Sequence, residues 1–155
     1  MENQTDTSQG FYHQLEQLYA SLPFNRMLGI RVASVAVDSG TMTFTMRKEL
    51  VGNMFHRTLH GGVISTVLDA VGGLTASASL VERAVGLSEA EALTMFSMVG
   101  TIDLRVDYLR PGRGQRFSAR GRIMRAGRKV AVVRMEMHNE EAVLVAVGTG
   151  TYMIG

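Results

Sequence analysis

Cysteine is absent from the 155-residue chain, which excludes disulfides and thiolate metal sites and suits a reducing compartment. Tryptophan is absent too, and aromatic residues make up only 6% of the sequence. With so few rings to stack on bases, nucleic acid is not an expected partner. The opening MENQTDTSQG has neither the basic n-region nor the apolar h-region of a secretory leader, so a cytoplasmic protein is expected. Long hydrophobic runs are also missing. The most apolar stretch is interrupted by Ser65, Thr66, Asp69 and Thr75, so no membrane span is expected. There is no internal repeat and no low-complexity tract.

What is present is an ordinary globular balance, 46% hydrophobic and 19% charged, enough for one domain with a real core. Residues 1–10 read as a disordered tail and residues 11–155 as a single domain. The net charge of +2 hides an asymmetry: ten of the 16 Lys and Arg residues fall between Arg105 and Arg134, where Asp107 is the only acid. Such a local excess attracts anions whatever the overall charge.

Phe11–Leu22 carries apolar residues at helical spacing and is stopped by Pro23. Strand-like runs over 30–37 and 41–47 flank an Asp38-Ser39-Gly40 turn. From Val63 to about Glu82 the period is helical. Val63, Ile64, Val67, Leu68, Val71, Leu74 and Ala78 share one arc, and Ser65, Asp69, Gly72 and Ala76 line the opposite side. Two glycines inside a helix cost roughly 1 kcal/mol each relative to alanine, so close packing against this small-residue face is expected to offset them. Ser88 and Glu91 form a capping box for a short helix over 89–97. After Gly100, alternation predicts four sequential strands, with turns at Pro111–Gly114, Gly127-Arg128 and Asn139–Glu141. The pattern is α+β: one curved antiparallel sheet of five to six strands around one long helix, its outer face wet.

His60-Gly61-Gly62 opens that helix, and Asp69 follows nine residues after His60. Free N–H groups and the positive end of the helix dipole suit an anionic oxygen here. The carboxylate lies about two turns on, so one helix offers both an oxyanion site and an acid. Other readings compete. An α/β-hydrolase oxyanion loop needs a G-x-S-x-G elbow and a longer chain, and neither is present. His56, His60 and Asp69 have the chemistry of metal ligands, but the glycines start the helix after His60 and leave both histidines in a loop, so no metal is expected. The plain alternative is a tight turn into a helix, with Asp69 serving only to hydrogen-bond between elements. Spacing alone leaves that alternative open.

Taken together, His60-Gly61-Gly62-(x6)-Asp69, Tyr108-Leu109-Arg110-Pro111 and Gly150-Thr151-Tyr152 resemble the hotdog-fold acyl-CoA thioesterases, over nearly the whole chain from about Phe24 to Ile154. The branch is that of the phenylacetic-acid-pathway (PaaI) thioesterase and human thioesterase superfamily member 2. Within it, GTIDLRVDYLRPGRG, HNEE and TYM are most similar to the YigI-type proteins, which favour medium and long acyl chains. The resemblance implies a hotdog fold and an acyl-CoA substrate, with no metal and no cofactor apart from the coenzyme A of the substrate. It implies homodimers with sheets joined and helices side by side along the Gly72 and Ala76 stripe, pairing into tetramers, with sites between protomers.

By the same resemblance, the Gly62 N–H stabilises the oxyanion, with Gly61 beside it. Asp69, lent by the neighbouring subunit, is the nucleophile or general base. His60 positions the carbonyl or the loop, and Thr101 stands where the human relative has a serine that orients water. Asn53 or His56 would hold that water; Asn53 is one residue farther from His60 than the family's asparagine, so a bulge is needed. Arg110, Arg113, Arg125, Arg128 and Lys129, at turns, would meet the phosphates of coenzyme A. The alternatives are a non-catalytic acyl-CoA-binding module acting as a lipid sensor, which has no need of Asp69, and a thioesterase for an aromatic acyl-CoA. The double glycine argues against a dehydratase or hydratase.

Overall fold

Pro23 divides the N-terminal helical run. The computed structural model, which describes residues 2–155, has α1 (Glu2–Ser21) before it and α2 (Pro23–Leu28) after it, the latter closed by Gly29 in the left-handed region (φ 73°). α1 reaches back to Glu2, through most of the stretch expected to be a tail. That stretch contains no proline to break a helix, although Asn3, Thr5, Asp6, Thr7 and Ser8 favour one only weakly. The chain continues through β1 (Arg31–Ala36), β2 (Ser39–Thr45), a 3₁₀ turn (Lys48–Leu50), β3 (Val51–Asn53) and β4 (Thr58–Leu59) into the long helix α3 (Gly61–Ala78). Then come α4 (Val81–Ala84), α5 (Glu89–Ser97), β5 (Gly100–Tyr108), β6 (Arg116–Ala126), β7 (Val130–Asn139) and β8 (Leu144–Met153).

α5 coincides with the span expected for it, and both reciprocal bonds of the Ser88–Glu91 capping box are formed. α3 is shorter than its periodicity implied, because the chain breaks at Ser79-Leu80 and restarts as α4. The first hairpin turns at Val37-Asp38, not over Asp38–Gly40. Gly40 instead lies in β2 beneath the helix, where a Cβ would come 3.0 Å from Thr75 Oγ1 and 3.1 Å from Leu74.

Six strands form one antiparallel sheet in the order β1-β2-β6-β7-β8-β5. Only β6, β7 and β8 follow one another as a meander. β5 pairs with β8 at the far edge, so Pro111–Gly114 is a crossing and not a hairpin turn. The Leu109 and Arg110 N–H groups both donate to the Val145 carbonyl (2.9 and 3.0 Å), and the Gly112 carbonyl accepts from Leu59 N–H (3.0 Å). These bonds carry the crossing past the start of α3.

The apolar arc of α3 (Ile64, Val67, Leu68, Val71, Leu74, Ala78) is buried in one core with Met42, Phe117, Met135 and Met137 of the sheet. Those three methionines are therefore packing residues. α3 is the one described helix long and apolar enough to cross a membrane, but 61% of it is buried inside the protein's own core. Its small-residue face is also occupied from within. Gly72 lies against the Tyr152 ring, where a Cβ would overlap the hydroxyl, and at Gly73 a Cβ would come 3.2 Å from the Tyr19 hydroxyl. Ala76 is fully buried. The close packing that offsets the glycines thus comes from two tyrosines of the same chain.

Gly72→Ala tests this packing. Alanine gains about 1 kcal/mol in helix propensity, yet overpacking a core costs typically about 1–3 kcal/mol. We expect the urea midpoint to fall, and Tyr152→Phe in the same chain to restore part of the loss. A higher midpoint for Gly72→Ala alone would refute the contact.

Candidate active site

α3 begins where three backbone strands of polymer meet. His60 N–H donates to the Leu50 carbonyl (2.8 Å), Leu59 is tied to Gly112, and the Tyr108 hydroxyl donates to the Gly61 carbonyl (3.2 Å). His60 is the N-cap residue, and its Nδ1 accepts the Gly62 N–H at 2.9 Å. This corrects the expectation of a free amide at Gly62: the imidazole folds back over the helix end and satisfies that donor. The Gly61 N–H has no acceptor among the described residues. The helix start therefore offers one open donor and one held by a neutral hydrogen bond.

Two turns on, Asp69 is half-buried and fixed from two strands. Its Oδ1 accepts from the Thr101 hydroxyl of β5 at 2.9 Å and lies 3.3 Å from the Tyr152 hydroxyl of β8, which is also 3.3 Å from the Asp69 carbonyl. Its other oxygen has no partner among the described residues. Burial first, and then the Asp69 charge, push the Tyr152 phenol well above the usual range. It stays protonated and can only donate to the carboxylate.

Asp69, Thr101 and Tyr152 line a cavity of about 390 Å³, walled by Leu22, Phe24 and Val99. His60 and Gly62 line a second cavity of about 280 Å³, with Leu28 and Glu49. Phe24 and Thr66 border both. Gly62 and Asp69 share a helix face but are seven residues apart, about 10 Å along the axis. Reacting atoms must approach within about 3–3.5 Å. Within one chain, these two groups do not address the same carbonyl.

The remaining site candidates are scattered. Asn53 Oδ1 accepts from the Phe55 and His56 N–H groups (3.0 and 3.1 Å), so its carbonyl holds the β3–β4 loop and its amide nitrogen is left over. His56 is exposed in the same loop, and neither side chain lines the Gly62 cavity. Arg110 borders a third cavity with Gly61 and Tyr108, and its guanidinium donates to the Leu144 carbonyl (3.1 Å). Arg113, Arg125, Arg128 and Lys129 are exposed, away from Gly62 and Asp69 in this chain. Among the described residues, no three His, Asp or Glu side chains cluster as metal ligands. Tyr152 belongs to the Gly-Thr-Tyr motif, but nothing in the sequence gives it a role, and the sequence context of Phe24, Thr66 and Glu49 carries no chemical signal.

A family model described as thioesterase superfamily matches residues 56–146. The medium/long-chain acyl-CoA thioesterase YigI of Escherichia coli (strain K12) is 46% identical over 140 residues, 90% of each chain. The chain belongs to the thioesterase superfamily. Among solved members, a Shewanella oneidensis protein related to that superfamily superposes with a TM-score of 0.90 at 44% identity, covering 96% of this chain and 97% of that one. A candidate thioesterase from Syntrophus aciditrophicus gives 0.83 at 36% identity, over 95% and 97%. The expected hotdog arrangement, a sheet wrapped around one long helix, is the fold of this superfamily member.

Two predictions follow from the local geometry. His60→Ala removes the cap and should cost about 0.5–2 kcal/mol, whereas His60→Asn, a good cap residue, should keep most of it; equal urea midpoints for wild type and His60→Ala would refute the cap. Burial pushes the Tyr19 phenol up to about 12, against a Ser77 hydrogen bond that lowers it. An unfolded tyrosine ionises near pH ~10, so this stabilisation is complete below that pH and lost as pH rises through the folded value. The urea midpoint should drop between about pH 10 and 12, less steeply in Tyr19→Phe.

Proposed function

We propose that the protein hydrolyses medium- to long-chain acyl-CoA to free fatty acid and coenzyme A. The observation that carries this reading is Asp69: a carboxylate in a largely apolar cavity, one oxygen held by two hydroxyls and the other open. Water adds to the thioester carbonyl, the C–S bond breaks, and coenzyme A leaves as the thiol. As general base, Asp69 takes the proton of that water; as nucleophile, its carboxylate instead attacks the carbonyl and expels the thiolate, and water then hydrolyses the acyl–aspartyl anhydride. The carbonyl oxygen accepts from the Gly62 N–H once the His60 imidazole turns aside. A neutral hydrogen bond contributes only about 1 kcal/mol net, and one to an oxyanion is roughly twice as strong. The acyl chain runs along Leu22, Phe24 and Val99. Arg110, beside Gly61, faces the phosphate-bearing handle. YigI, 46% identical, is named for the same substrate class.

The distance between Gly62 and Asp69 in one chain supports a site that draws on two protomers. β5 supports this: it is a nine-residue edge strand, mostly exposed, with Ile102 58% exposed. A bare edge of that length invites pairing with another chain, and a second β5 would join two sheets. Dimers of dimers complete the proposed assembly.

One observation favours a second reading, a non-catalytic acyl-CoA-binding module: the Gly62 amide is already engaged by His60. Thiol release from decanoyl-CoA decides between them. Wild type should release thiol, and Asp69→Ala should lose about 100-fold or more; no release by wild type would favour the binder. Complementation then tests the shared site. Asp69→Ala and Gly62→Pro are each expected to be inactive alone. Co-expressed, their heterodimer has one site with both groups intact, so the mixture should recover about a quarter of wild-type activity. Recovery fails if both groups act within one chain.

A further inference from the structure

A cavity larger than either of those at Asp69 and Gly62 lies outside the candidate active site. It measures about 780 Å³, within the range of ligand pockets, and sits on the other side of α2. Phe24 and Leu28 of that helix border the Gly62 cavity, whereas Arg26 borders this one. Its walls carry four arginines, Arg26, Arg31, Arg47 and Arg116, and one acid, Glu140. Glu140 is occupied by backbone: its two oxygens accept the Gln115 and Arg116 N–H groups at 2.8 and 3.2 Å. Arg47 is fixed by donating to the Met27 carbonyl at 2.7 Å. The guanidinium groups of Arg26, Arg31 and Arg116 donate no hydrogen bond among the described residues.

The strand register makes this a laid-out surface. Arg31 on β1, Thr43 on β2 and Ser118 on β6 lie in one row, and Thr45 pairs with Arg116 in the next row on the same face. At about 4.8 Å per strand, the first row is about 10 Å across, a width that arginine side chains converge over. Ile30, Phe44 and Phe117 also border the cavity, but as core residues no more than 5% exposed. A cavity this large, with a net of three positive charges and hydroxyls along its base, suits an organic polyanion more than an inorganic one. Guanidinium groups pair bidentately with phosphate oxygens.

We propose that this cavity binds a phosphate-bearing nucleotide, through Arg26, Arg31, Arg47 and Arg116. The same chemistry has two sources: the nucleotide end of the acyl-CoA substrate, or a nucleotide bound apart from it. The first source rests on the proposed hydrolase function; the site itself does not.

Calorimetric titration with adenosine 3′,5′-bisphosphate tests the site. Wild type should bind it, more weakly as salt is raised. Arg31→Gln/Arg116→Gln should weaken binding at least about tenfold, with far-UV circular dichroism and Tm unchanged, while Arg57→Gln/Arg122→Gln, two exposed arginines outside the cavity, should not. No binding by wild type, or loss only in the second pair, overturns the proposal. Kinetics on decanoyl-CoA and on decanoyl-N-acetylcysteamine, which lacks the nucleotide, separates the sources. A KM raised in Arg31→Gln/Arg116→Gln for the first substrate alone, with kcat unchanged, assigns the site to the substrate's handle. An unchanged KM alongside lost bisphosphate binding assigns it to a separate nucleotide. Failure of wild type to cleave either substrate would count against the hydrolase reading and leave the titration result standing.

Discussion

A tyrosine hydroxyl pressed against bare helix backbone is the contact on which the candidate site turns. Tyr152 is 1% exposed, and a buried phenol needs a hydrogen-bond partner. The helix surface beneath it offers Asp69, through both its carbonyl and its carboxylate. The ring reaches them only because position 72 has no side chain. One glycine, poor in a helix, therefore lets a core side chain aim a carboxylate. Thr101, the register partner of Tyr152 on the adjacent edge strand β5, adds the second constraint. Sheet order matters for the same reason: with β5 beside β6, Thr101 would not lie next to β8 and the two hydroxyls would not converge on one oxygen.

Local signals in the sequence translated directly into structure. The Ser88–Glu91 box and the buried arc of α3 depend on residues three or four apart, where a helix alone fixes the geometry. Non-local choices did not translate. Pro111-Gly112-Arg113-Gly114 has the composition of a hairpin turn, but nothing in those four residues says that β5 is better placed against β8, a strand more than thirty residues away. Gly40 looked like a turn glycine because its actual neighbours, Leu74 and Thr75, are distant in sequence. At the site, spacing placed a helix start and a carboxylate on one face but left their purpose open. The family resemblance supplied the purpose, and with it Thr101, which the structure joins to Asp69. Tyr152 had no assigned role because its role arises only when β8 crosses α3. The capping by His60 is local, yet histidine is not among the residues favoured at that position, so composition did not announce it.

The proposed assembly follows from the arithmetic of α3. Groups seven residues apart on one face serve a common carbonyl only if a second helix supplies one of them. In an antiparallel pair related by a two-fold axis, the helices are level midway between the two groups, near Ser65 and Thr66. Gly62 of each copy then stands opposite Asp69 of the other. Residues at such a crossing must be small and free of large apolar bulk. Ser65 folds its hydroxyl onto the Gly62 carbonyl (3.1 Å), and Thr66 borders both cavities. The tyrosines fill the later part of the same face, at Gly72 and Gly73, and so confine any close approach of a second helix to its first half. The tyrosine packing that fills this end of the helix is also the packing that holds Asp69.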